Sequence, residues 1–116
     1  MRYQARLCSL RSPEMDIRIE YPSDSTNFIV LLEAEIGAVG IEGSTLFRFD
    51  VCTPAWVSAS IADTGSMWGK ATLIVEEWNY ENIHGVVATL CERTTSDSWQ
   101  GIVQQLTPFA TSEFST

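Results

Sequence analysis

A chain of 116 residues, 45% hydrophobic and 19% charged, is long enough for one domain and too apolar to be disordered. A domain of this size buries roughly 65% of the surface its unfolded chain exposes, so it needs no metal or disulfide to hold a core. Fifteen acidic residues against seven basic ones leave a formal net charge of -8, a field that repels nucleic acid and anionic membranes and attracts basic partners.

Residues 2–10 read as a first strand, ended by Ser12-Pro13. The acidic segment from Glu14 to Asn27 reads as loop, with one alternating patch, Ile17 to Tyr21, that suits an edge strand. From Phe28 to Ile36 the alternation is clear: Phe28, Val30, Leu32, Ala34 and Ile36 share one face, while Glu33 and Glu35 lie on the other. Three glycines between Gly37 and Gly43 mark a turn, after which Thr45, Phe47, Phe49 and Val51 alternate with Leu46, Arg48, Asp50 and Cys52. Two such strands around a turn predict an antiparallel hairpin with one core face.

Thr53-Pro54 opens a short helix, threonine as N-cap and proline at the first helical position, with Cys52 and Val57 placed for a hydrophobic staple. Ala71 to Trp78 reads as a strand, and the unbroken run Leu73-Ile74-Val75 predicts that it is covered on both faces. Asn79 caps a second helix with a buried stripe of Ile83, Val86, Val87, Leu90 and Cys91. Asp97 is the expected cap of a third, carrying Trp99, Ile102, Val103 and Leu106 and ended by Pro108. The tail around Glu113-Phe114 suits a short last strand. This order predicts a single α+β domain over 1–116, a mainly antiparallel sheet with about three helices packed on one face.

The sequence holds no nucleophile elbow, phosphate loop or zinc-protease motif. Cys8, Cys52 and Cys91 show no CxxC spacing, and with the single histidine, His84, they make no set of four ligands in close pairs, so no metal or cofactor is expected and the thiols read as buried and free in a reducing compartment. His84 falls at the edge of its helix's apolar stripe and reads as a surface residue, not an acid–base catalyst. Glu76 and Glu77 are adjacent and point to opposite faces of a strand, so they form no dyad. The basic residues are scattered, without a stripe for nucleic acid. No run is apolar enough for a signal peptide or a membrane span, which makes the cytoplasm the expected compartment. Among four tryptophans, Trp99 reads as core, Trp56 as packed on the sheet and Trp78 as a strand-to-helix junction. Trp68, beside Met67 in a loop, is the candidate recognition anchor.

Ordered blocks along most of the chain resemble the immunity protein 8 family of bacterial polymorphic-toxin and contact-dependent-inhibition systems. They are Ser12-Pro13, Ile36-Gly37, the turn Gly40-Ile41-Glu42-Gly43, and an ungapped block of Phe47, Phe49, Val51, Cys52, Thr53, Pro54 and Trp56. Gly69-Lys70 before Leu73-Ile74-Val75, then Tyr80, Trp99, Ile102 and Glu113-Phe114, complete the pattern. The chain departs from it at Ser112, where the family usually has tryptophan, and at Ala71, where histidine is frequent. The resemblance implies a non-enzymatic antitoxin that binds the C-terminal domain of its cognate toxin, commonly a nuclease, and covers its active site or an exosite. The alternative is a small regulatory or ligand-binding domain with another protein partner, and a toxin gene directly upstream separates the two. The expected contact is an acidic patch of Glu33, Glu35, Glu42 and Asp50, which Arg48 alone is too little to neutralise, with Trp68 as an apolar anchor.

Overall fold

Alternation in the central sequence becomes a long hairpin. In the computed structural model, which describes residues 2–113, β2 (Ile29–Ala38) and β3 (Thr45–Cys52) pair antiparallel from Ile29↔Cys52 to Ile36↔Thr45. Val30, Leu32, Ala34 and Ile36 face Val51, Phe49, Phe47 and Thr45, and all eight are buried. The turn between them needs glycine: Gly40 and Gly43 hold φ of 75° and 101°, where a side chain is strained. The Gly43 carbonyl lies so close to Gly37 that a Cβ there would collide with it.

β1 (Tyr3–Arg11) pairs antiparallel with β2 on the other side, and β4 (Thr72–Ile74) runs parallel to β3. β5 (Thr95–Ser96) adds to β1 at Tyr3 and Gln4, giving the order β4-β3-β2-β1-β5, and β6 (Thr111–Ser112) also pairs with β3. Three helices complete the α+β domain: α1 (Pro54–Ile61), α2 (Tyr80–Glu92) and α3 (Trp99–Leu106). Ile83, Val87 and Cys91 of α2 and Ile102 and Leu106 of α3 join the sheet's inner residues in one core, whereas α1 buries none of its own side chains.

A bulge in β1 sets what faces outward. Leu7 pairs with Ile36, yet Ser9 pairs with Glu35 and Arg11 with Glu33, so Cys8 is the extra residue. Had the Leu7 register continued, Leu10 would stand opposite Glu33 and Arg11 opposite core Leu32. The bulge therefore buries Leu10 and sends Arg11 to the polar face.

Several expectations are corrected. Residues 17–19 form a turn, held by the Ile19 and Glu20 N–H groups donating to the Asp16 carbonyl; Ile17 is buried while Ile19 and Tyr21 are exposed. β4 stops at Ile74, which is 58% exposed, so this strand is an edge and not a doubly covered one, and Glu76 and Glu77 fall in a bend beyond it. Val86 is 42% exposed because it sits at the margin of the α2 stripe. Ser98, not Asp97, caps α3 by accepting from the Gly101 N–H at 3.0 Å, and Asp97 instead pairs with Arg2 at 3.2 Å. Cys8 is exposed, while Cys52 and Cys91 are buried. Trp99 is half-buried at the core margin. The last strand is Thr111–Ser112, and Phe114 lies outside the described residues.

Candidate functional site

On the sheet face away from the core, β1, β2 and β3 present Arg11, Glu33, Glu35, Arg48 and Asp50. The Glu33 carboxylate accepts from Arg48 Nε at 3.0 Å and lies 3.6 Å from Arg11 Nε, with its side chain only 14% exposed. Arg11 also reaches Glu35 at 3.2 Å, and Ser44 Oγ donates to the other Glu35 oxygen at 2.6 Å. These bonds, Ser44 first and Arg11 second, hold the Glu35 carboxyl below its ordinary range. Arg48 therefore does not act alone: Arg11 joins it, and Lys70 lines the same shallow cleft as Asp50.

Asp50 behaves differently. Burial, and then the nearby charge of Glu14, push its carboxyl up. Its own neighbourhood is knitted by backbone bonds, since the Asp50 N–H donates to the Ala71 carbonyl at 2.9 Å. Ala71 takes a φ of 47°, rare for a residue with a Cβ. The segment that this bond anchors carries Trp68, which is 95% exposed, and Met67, which is 46% exposed. Trp68 is three positions before Ala71, so the indole's backbone lies within about 11 Å of the anchored carbonyl's.

Glu42 stands apart from this network. It is exposed in the turn and lines a cleft of about 340 Å³ with Tyr3, Ile41 and Trp99. The structure thus brings Glu33, Glu35 and Asp50 onto one face, carries Trp68 on the segment that Ala71 ties to Asp50, and leaves Glu42 at the turn.

Sequence reasoning missed Arg11, Glu14 and Ser44. Glu14 Oε1 accepts from the Leu31 N–H at 3.2 Å, and nothing in the local sequence announces that reach. Glu113 bonds Leu46 twice, its N–H donating to the Leu46 carbonyl at 2.9 Å and its carboxylate accepting from the Leu46 N–H at 3.0 Å, which gives Glu113 a structural task. Among the described residues no cluster of three or more metal-ligating side chains exists, and no helix is long and apolar enough to cross a membrane. His84 is exposed on α2, its ring 5.8 Å from that of Tyr80.

The family model described as Immunity protein 8 matches residues 5–116. Comparison with curated proteins and with solved structures returned no match.

Proposed function

The chain belongs to the immunity protein 8 family and so is an immunity protein for a toxin; from that premise we propose that it neutralises the toxin by binding alone, in the cytoplasm, through the outer sheet face and the Trp68 loop. The partner in this reading is the toxin's C-terminal domain, a nuclease whose basic surface meets Glu33, Glu35 and Asp50, with Glu42 contributing from the turn. The single supporting observation is Trp68: an indole 95% exposed, next to Met67, on a segment hydrogen-bonded to the strand that carries Asp50. Leaving so large an apolar ring in water is costly unless a partner covers it, and tryptophan is the residue most enriched among interface hot spots.

Charge assists the encounter. The net charge of -8 draws a basic domain from a distance, and the paired arginines keep the contact face itself close to balanced. Binding one to one then covers the toxin's active site or an adjacent exosite, with no reaction carried out by this chain.

The test is stopped-flow association with the purified C-terminal domain encoded by the upstream toxin gene, at rising salt. Wild type is expected to associate fastest at low salt. Glu33→Lys/Glu35→Lys is expected to associate several-fold more slowly with a flatter salt dependence. Unchanged association of a double variant shown to be folded refutes this docking face.

A further inference from the structure

The outer edge of β1 is only partly used. The Val39 N–H donates to the Gln4 carbonyl, so Gln4 and Arg6 turn their backbone groups toward β2, and Ala5 turns outward, its N–H donating to the Thr94 carbonyl. Leu7 follows Ala5 in facing out. Beyond the bulge, Ser9 and Arg11 pair inward with Glu35 and Glu33, which leaves Leu10 facing out as well. β5 covers only Tyr3 and Gln4, and no strand among the described residues takes up the outward N–H and C=O of Leu7 and Leu10. An open cleft of about 740 Å³ lies along this second half of the edge, lined by Leu10, Met15 and Ile17 together with Tyr80 and His84 of α2.

We propose that an extended segment of the toxin adds to β1 here as a further strand, bonding the backbone of Leu7 and Leu10 and laying its side chains against Tyr80 and His84. Unpaired backbone donors and acceptors along a strand edge are complemented by another extended backbone. The stretch from Leu7 to Arg11 accommodates a segment of about five residues, roughly 17 Å long. A second copy of this chain fits worse: antiparallel self-pairing of Leu7 with Leu10 sets Arg6 opposite Arg11 and joins two chains of net charge -8. The same charge favours a toxin strand bearing lysine or arginine. This inference rests on the reading that the partner is a protein toxin, and it adds an edge contact to the face contact.

The experiment is amide hydrogen exchange by NMR on the full chain, free and saturated with the catalytically inactivated C-terminal domain of the upstream toxin gene. The Leu7 and Leu10 amides are expected to exchange at least ~10-fold more slowly in the complex and to show intermolecular NOEs, whereas Arg6, Ser9 and Arg11 are already protected in the free chain. Unchanged Leu7 and Leu10 with a shifted Trp68 indole overturns strand addition and leaves the face contact standing. Protection of Leu7 and Leu10 with an unmoved indole supports strand addition and overturns the face contact. Protection that appears when the free chain alone is concentrated identifies a second copy as the occupant, and absence of any binding overturns both readings.

Discussion

Glu33 and Arg48 face one another across the β2–β3 ladder with 3.0 Å between carboxylate and guanidinium, and the same carboxylate is shared with Arg11 of β1. Three strands are thus tied through one side chain. An isolated exposed ion pair contributes little, but a shared, mostly covered carboxylate contributes more. Glu33→Gln is expected to lower stability by roughly 0.5–1 kcal/mol, with the loss shrinking in high salt. Urea unfolding at two ionic strengths checks both points, and Glu33→Lys, which sets three cations together, should cost more than Glu35→Lys.

Trp68→Ala separates binding from folding. Because the ring is almost wholly in water, the midpoint of thermal unfolding should move by less than the equivalent of ~0.5 kcal/mol. Toxin dissociation should quicken about 30-fold, the fold-change of a ~2 kcal/mol hot spot. A folded Trp68→Ala variant with wild-type dissociation removes the anchor from the interface.

Thr53→Ala tests more than a helix cap. The buried Thr53 hydroxyl accepts from the Trp56 N–H at 3.4 Å, which caps α1, and from the Phe28 N–H at 3.3 Å, which fixes the start of β2. Its loss leaves two N–H groups short of a partner, one of them buried. The expected cost is about 2 kcal/mol, above the ~1 kcal/mol of a cap alone. Urea denaturation measures it, and Thr53→Ser should recover most of the loss.

Stability should respond to pH with two opposing contributions. The Glu35 carboxyl, held below its ordinary 4.5 by Ser44 and Arg11, binds its proton more weakly folded than unfolded. Its contribution is complete above 4.5 and is lost as pH falls through the lower folded value. Asp50, raised above 3.8 by burial and by Glu14, favours the fold while protonated, and that contribution is lost as pH rises through the raised value. Glu35→Gln should flatten the acid limb of stability below the ordinary 4.5, and Asp50→Asn should raise the unfolding midpoint near neutral pH.

Ala71→Gly should stabilise the chain. A left-handed alanine costs roughly 1–2 kcal/mol, and the lost methyl contact and the greater freedom of unfolded glycine offset part of the relief. The net gain is expected near ~0.5 kcal/mol by urea unfolding, and Ala71→Val should destabilise instead. A loss of stability in Ala71→Gly refutes the strain argument.

The hairpin was legible because its two strands alternate and the glycines between them permit the positive-φ backbone that the turn requires. The Asn79 cap and the spacing of Ile83, Val87 and Cys91 were legible for the same local reason. What escaped depended on partners distant in sequence. Leu73-Ile74-Val75 is as apolar as a central strand, yet it sits at an edge because no strand lies beyond it among the described residues. Asp97 and Ser98 are both good caps, and the choice fell to Ser98 while Asp97 took Arg2. Arg11 could not be placed on the polar face from strand parity alone, since one bulged residue reverses that parity.

Because burial in β2 alternates from Ile29 to Ile36, its odd positions there face out while its even positions hold the core, so one strand carries two largely separate records. On the docking face proposed above, Leu31 and Glu35 can therefore be rewritten without repacking Leu32 or Ala34. Glu33 is less free: replacing it takes from Arg48 the carboxylate it is paired with and leaves Arg11 with Glu35 alone, so a change at that point is felt on three strands.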